Sequence, residues 1–260
     1  MAAVWQGKWA LVTGASAGIG REISKQLAVD GAHLVLVARR ADRLAQLAGE
    51  LTQRYKVRCE ICVADLTRAE APQEILRFTQ EKDLPIEVLI NNAGFGINGE
   101  FLQADPQRLL DMVQVNVSSV MYLARLFLPA MAQRRSGYMM VVASTAAFQA
   151  VPYLSTYAAT KAFDLLLAEG IAAELAEQGV RVCALCPGST DTEFQEVAGQ
   201  TERMARSKES AEKVARVGLQ ALAAGKPMVI SGLRNRLAME AQRLAPRSWV
   251  TLAVARMFKP

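Results

Sequence analysis

The sequence predicts a three-layer α/β architecture, a doubly wound sheet of about seven parallel strands covered by helices on both faces. Short, near-continuous apolar runs of strand length alternate with segments of helical spacing along the chain, as in parallel sheets buried on both sides. A glycine-rich turn joins the first apolar run to the first helix. No linker, low-complexity tract or internal repeat breaks the alternation, so residues 1–260 read as a single domain with a basic helical extension over 233–260. With 52% hydrophobic residues, the chain can fill one sizeable core.

The elements follow in order. Lys8 to Thr13 reads as a strand, Gly14 to Gly20 as the turn, and Arg21 to Ala28 as a helix ended by Asp30-Gly31. His33 to Ala38 is the second strand, and Leu44, Leu47 and Leu51 give Asp42 to Tyr55 helical spacing. A third strand (Val57 to Val63), a polar helix through Glu81 and a fourth strand (Glu87 to Ile90) come next. Pro106 opens a long helix to Met131, at the position where its missing N–H costs least. Tyr138 to Ala143 is the fifth strand, Tyr153 to Glu177 a helix stopped at Gln178-Gly179, and Val180 to Leu185 the sixth strand. Ser210 to Ala223 is helical, Pro227 to Ile230 is the seventh strand, and the remainder is helical with a break at Pro246.

The turn reads Thr13-Gly14-Ala15-Ser16-Ala17-Gly18-Ile19-Gly20. Glycines let the backbone turn sharply and approach a ligand, and the helix behind offers free N–H groups to a pyrophosphate. Gly14, Ser16, Gly18, Ile19 and Gly20 are therefore candidate cofactor residues. A P-loop is excluded by the lack of Gly-Lys-Ser/Thr. The second strand ends Val37-Ala38-Arg39-Arg40. An acid is expected there for an NAD ribose, whereas Arg39 and Arg40 suit the 2′-phosphate of NADP, so NADP(H) is preferred to NAD(H).

Tyr157 and Lys161 stand four apart in a helical segment and share a face. A tyrosine at its free pKa of about 10 is a poor acid at neutral pH, and a nearby ammonium lowers that pKa. The pair is a plausible proton donor for a carbonyl. Ser144 ends the fifth strand, at the carboxyl edge where such sheets bind ligands, and could hydrogen-bond the same carbonyl oxygen.

With these motifs in order, the chain resembles a short-chain dehydrogenase/reductase over essentially its whole length. The resemblance rests on the glycine turn, Asp65-Leu66, Asn91-Asn92-Ala93-Gly94, the Ser144, Tyr157 and Lys161 set, Asn116 in Val115-Asn116-Val117-Ser118, and Pro187-Gly188. Arg39 and the segment Gly225-Lys226-Pro227 to Gly232 are similar to an NADP-preferring branch of undefined substrate. The resemblance implies a Rossmann-type fold and interconversion of a carbonyl and a secondary alcohol by hydride transfer. It implies that Tyr157 exchanges the proton, Lys161 lowers its pKa and holds the nicotinamide ribose, Ser144 positions the carbonyl oxygen, and Asn116 holds a relay water. Asp65 would bind the adenine, with Leu66 beside it; Asn92, Ala93 and Gly94 would line the cofactor; Pro187, Gly188, Thr190 and Thr192 would lie against the carboxamide. Ala143-Ser144 replaces a common Ser-Ser, and Ala17 stands where some NADP enzymes carry a base. Homodimers or homotetramers built through the two long helices are implied as well. The alternative is a catalytically silent cofactor-binding or scaffold protein on the same fold.

Phe95, Phe148, Tyr153, Leu154 and Phe194 are expected to form an apolar pocket for a small apolar carbonyl or alcohol, with residues 193–208 as a lid. The two Cys-x-x-Cys pairs, Cys59/Cys62 and Cys183/Cys186, lie on separate strands where residues three apart face opposite ways, so no metal site is expected. The sole histidine, His33, opens a strand at the end away from the site, which argues against a Ser-His-Asp hydrolase. No apolar stretch reads as long enough to span a bilayer, and no signal peptide or disulfide framework is evident; a reduced, cytoplasmic protein is expected. Six Lys or Arg against the single acid Glu240 place the whole formal charge of +5 in residues 233–260. A solvated helix face is the favoured reading of this tail, without nucleic-acid binding; contact with a membrane surface is the alternative.

Overall fold

The computed structural model describes residues 2–194 and 208–259. Seven parallel strands form the sheet: β1 (Trp9–Thr13), β2 (His33–Ala38), β3 (Cys59–Val63), β4 (Ile86–Asn91), β5 (Gly137–Val142), β6 (Val180–Cys186) and β7 (Met228–Ile230). Their order is β3-β2-β1-β4-β5-β6-β7. The chain winds outward one way from β1 and then the other way from β4. The reversal at β1/β4 opens a crevice beyond the carboxyl ends of those strands, where doubly wound sheets take their ligands. Alternating side chains of each strand feed two cores. Leu11, Val35 and Val37 pack on one face, and Ala10, Val12, Leu34 and Leu36 on the other.

Besides a one-turn helix at Ala2–Trp5, the helices are α1 (Gly18–Val29), α2 (Ala41–Tyr55), α3 (Ala71–Glu81), α4 (Pro106–Gln133), α5 (Ser155–Leu175), α6 (Ala211–Ala223), α7 (Leu233–Ala241) and α8 (Arg247–Phe258). Local chemistry sets several of their starts. Asp105 accepts a hydrogen bond from the Gln107 N–H at 2.9 Å ahead of Pro106, and Ser210 caps α6 by accepting from the Lys213 N–H. Helix α1 has no such cap, as is true of most of the others: Ala17 precedes it. Its first N–H groups are thus left for a ligand.

Three features depart from the sequence expectations. Helix α4 is not uniform, because Gln114–Ser118 forms a π turn inside it, a local widening associated with functional sites. A small ribbon pairs Thr190–Asp191 with Glu209–Ser210 and had no signal of its own. Helix α4 is, by length and composition, long and apolar enough to cross a bilayer, contrary to expectation; half of its most apolar stretch is buried against the protein. The paired cysteines do sit on well-separated strands, with Cys62 and Cys186 in one core and Cys183 in the other. Burial pushes the Cys62 thiol up to about 11 and those of Cys183 and Cys186 up to about 12.

The C-terminal helices expose apolar side chains beside their exposed basic residues. Leu233, Leu237, Leu244, Trp249, Leu252 and Met257 are all exposed, Leu244 to 92% and Trp249 to 69%. The inner side of α8 instead packs Val254 and Phe258 onto Met112, Val151 and Leu154.

Candidate active site

The crevice at β1/β4 is knitted by two side chains. Thr13 Oγ1 donates to the Ile90 carbonyl and accepts from the N–H groups of Asn92 and Ala93, both at 3.0 Å. Asn92 Nδ2 donates to the Thr13 carbonyl at 2.8 Å. Gly14 turns the chain here with φ 67°, and a Cβ on it would lie 2.7 Å from Asn92 Nδ2, so only glycine fits.

A cavity of about 490 Å³ runs from this turn along the carboxyl edge of the sheet. All the cofactor residues named from the sequence line it except two, and so do Ser144, Tyr157 and Lys161. The exceptions are Gly20 and Asn116. Gly20 is buried, and a Cβ there would come within 2.5 Å of the Gly14 carbonyl, so it serves the packing of the turn on its helix. Asn116 is fully buried in the π turn. Its Nδ2 donates to the Phe95 carbonyl and to Thr160 Oγ1, and its Oδ1 accepts from the Phe95 N–H. The side chain thus fastens the strand-four loop to α4 and α5.

At one end of the cavity stand the arginines. Arg40 donates to Ser16 Oγ at 3.1 Å and pairs with Glu193 at 2.9 Å, and Arg43 pairs with the same carboxylate. These two guanidinium groups hold the Glu193 carboxyl below its ordinary range. Arg39 is largely exposed, 4.0 Å from Asp65. Neither the Arg43 contribution nor the part of Glu193 was foreseen. The position of Arg43, in the first turn of the helix that Arg40 precedes, was the available signal.

At the other end Tyr157 and Lys161 extend from α5. Ser144 lines the cavity with Tyr157, its hydroxyl accepting from the Ala146 N–H at 3.1 Å, and Lys161 Nζ lies 5.9 Å from the centre of the tyrosine ring. Burial pushes the phenol above its ordinary pKa, and Lys161 and Ser144 pull it part of the way back. The ammonium acts in the expected direction, but burial is the larger effect. A further residue, Asp164, was missed. It is fully buried, and its Oδ2 accepts from Lys161 Nζ at 2.9 Å, while the Val142 carbonyl accepts from the same Nζ at 2.8 Å. The carboxylate keeps Lys161 charged, and together with the Val142 carbonyl it occupies two of the three N–H groups. Its spacing of three from Lys161 on the same helix face was the visible clue.

The apolar end of the cavity is built by Phe95, Val151, Leu154, Phe194 and Phe258. Phe148 and Tyr153, expected there, do not line it. Phe148 packs on the main core, and Tyr153 adopts φ 67° in the turn before α5, with its carbonyl accepting from the Gly99 N–H. Phe258, far away in sequence, takes their place. Of the expected lid over 193–208, residues 195–207 lie outside the described residues; Glu193 and Phe194 belong to the cavity wall.

Comparison with known proteins agrees with this geometry. The family profile described as short chain dehydrogenase matches residues 8–203. An uncharacterised oxidoreductase of Staphylococcus saprophyticus is 33% identical over 217 residues, covering 84% of this chain and 92% of that protein. A very-long-chain 3-oxoacyl-CoA reductase of Anas platyrhynchos is 34% identical over 196 residues, 74% of this chain and 62% of that protein. The solved short-chain dehydrogenase of Sphingobium yanoikuyae, in complex with NADPH, is 30% identical with a TM-score of 0.83, covering 94% of this chain and 95% of that one. A match over most of the chain, the shared seven-stranded sheet and the glycine turn at its switch point place this protein in the short-chain dehydrogenase family of oxidoreductases.

Proposed function

We propose that the protein is an NADP(H)-dependent oxidoreductase that interconverts a carbonyl and a secondary alcohol on an apolar substrate, with Tyr157 as the proton donor and acceptor. The observation that carries this reading is the layout of one continuous cavity, with Arg39 and Arg40 at one end, Ser144, Tyr157 and Lys161 at the other, and an apolar wall beside them. The residues fit an extended dinucleotide. Gly14 and Gly94 leave room for it, since a Cβ on Gly94 would stand 3.4 Å from Lys161 Nζ at the cavity floor. The uncapped start of α1 would take the pyrophosphate, and Arg39 and Arg40 the 2′-phosphate. Asp65, with Leu66, would hold the adenosine, and the backbone of 187–192 the carboxamide. The related Sphingobium protein is described with NADPH.

When bound, the nicotinamide supplies or accepts the hydride. The chain's own residues handle the proton and the oxygen. Ser144 and Tyr157, which line the same cavity, together would hold the carbonyl oxygen, polarising it. The phenol donates its proton to that oxygen as the alcohol forms and recovers it in the reverse direction. The buried Lys161 ammonium stabilises the phenolate that results, and its third N–H is free to hold a ribose hydroxyl. Asn116 keeps Phe95 and Thr160 in place behind these groups, and a water beside it would return the proton to Lys161. Phe95, Leu154, Phe194 and Phe258 exclude water and favour an apolar substrate. Exposed Leu110, Met121, Tyr122 and Leu166 on α4 and α5 support a homo-oligomer formed through those helices.

Tyr157→Phe tests the reading. With a panel of apolar ketones and NADPH, turnover is expected to fall by at least about a hundredfold while NADPH still binds. Turnover near that of the parent would sink the proposal.

A further inference from the structure

Helix α8 has two apolar sides. Val254 and Phe258 pack inward on Met112, Val151, Leu154 and Tyr157, and Phe258 reaches the cavity wall. On the opposite side, three apart, Trp249 and Leu252 are 69% and 62% exposed, and Met257 on the flank is 69% exposed. A helix apolar on both sides is normally covered on both. Leu233, Leu237 and Leu244 add exposed apolar surface just upstream. The same segment is strongly basic. Arg243 pairs with Glu240, whereas Arg234, Arg236, Arg247, Arg256 and Lys259 are exposed and have no acidic partner among the described residues.

We propose that the C-terminal segment docks on the surface of an anionic lipid bilayer, with the outward side chains of α8 lying in the interfacial layer. Charge selects this occupant. A second copy meeting this segment face to face would bring two sets of unpaired arginines together. A nucleic acid would answer the charge but leave Trp249, Leu252 and Met257 without a partner. An acidic lipid surface answers both: tryptophan is favoured at the interface, leucine and methionine enter the acyl boundary, and Arg256 can extend its head to the phosphates from between them. The apolar stripe lies on the helix that walls the cavity, so docking would bring that wall to the lipid. If the function proposed above holds, an apolar ketone or alcohol dissolved in the membrane would then reach the cavity over a short path.

The test is flotation of the full chain with vesicles, one set of phosphatidylcholine alone and one with a third of the lipid replaced by phosphatidylglycerol. The protein should float with the anionic vesicles, fail to float with the neutral ones, and be released by about 0.5 M salt. Arg247→Gln with Arg256→Gln should lower the partition constant about 30-fold. Trp249→Ser with Leu252→Ser, both outward-facing, should abolish flotation without lowering the melting temperature or NADPH binding. Absence of flotation in the parent overturns the proposal. So does an association of copies, seen by sedimentation equilibrium, that the Trp249→Ser/Leu252→Ser protein loses while the parent ignores vesicles. Binding of a DNA duplex equally by parent and serine variant, with no vesicle binding, also overturns it. None of these outcomes depends on turnover, so failure here is separable from failure of the Tyr157→Phe test.

Discussion

Arg40→Ala should separate the two nicotinamide cofactors. In the structure Arg40 is half-exposed and already engaged, by Ser16 at 3.1 Å and by Glu193 at 2.9 Å. A 2′-phosphate entering the site must therefore displace a carboxylate rather than meet a free guanidinium. Charge-assisted hydrogen bonds to the phosphate contribute about 1.5–3 kcal/mol. The partly exposed pair with Glu193 that is given up is worth at most about 1 kcal/mol and more typically about half that. The net contribution is about 1–2.5 kcal/mol, so Arg40→Ala should weaken NADPH binding about 5- to 70-fold. NADH lacks the phosphate and should bind the variant as it binds the parent. Glu193→Gln supplies the converse, since it removes the competing charge and should tighten NADPH by up to about fivefold. Titration of the reduced cofactor's fluorescence reads all three affinities. Equal weakening of NADH and NADPH by Arg40→Ala, or no change in either, would refute the reasoning, because the arginine would then not be reading the phosphate.

Other perturbations bear on the proton end of the site. Burial raises the Tyr157 pKa, so the phenol stays protonated through the neutral range and, on the proposed function, would act as an acid there. Ketone reduction should be level across neutral pH and decline only when the phenol ionises, while alcohol oxidation, which needs the phenolate, should climb with pH; initial-rate profiles in both directions check this. Asp164→Ala removes one partner of a buried ion pair and leaves Lys161 uncompensated. It should cost about 3–5 kcal/mol of stability, read from urea unfolding, and raise the KM for the cofactor because the lysine is no longer held. Asn116→Ala strands the Phe95 N–H and carbonyl and removes one donor to the Thr160 hydroxyl, which keeps its bond to the Tyr157 carbonyl. It should lower stability by about 1–3 kcal/mol, again by urea unfolding, and reduce kcat with little effect on NADPH affinity.

The fold was legible because its signals are local. Each buried strand is a short apolar run, each helix carries its own period, and Pro106, Gly31 and Gly179 punctuate them; β2 came out with the same bounds in sequence and structure. Boundaries elsewhere moved by one to three residues where ends are set by hydrogen bonds to other segments, as at Cys59, where β3 begins only once it can pair with Leu34. The π turn at Gln114–Ser118 had no pattern to announce it, since it depends on Asn116 reaching Phe95 and Thr160 across the fold.

The amino-acid sequence by itself determined the doubly wound sheet, the glycine turn at its switch point and the family's Ser144, Tyr157 and Lys161, all of which are written in residue type and short spacing. Only the tertiary structure decided which side chains surround them. It brought Glu193 onto Arg40 from 153 positions away, put Phe258 rather than Phe148 and Tyr153 on the cavity wall, and set Asp164 against Lys161 in a dry interior. It also showed that the basic tail exposes Trp249 and Leu252 beside its arginines. These outcomes follow from packing between elements distant in sequence, and from burial, which fixes the cost of a charge; neither is carried by a local pattern.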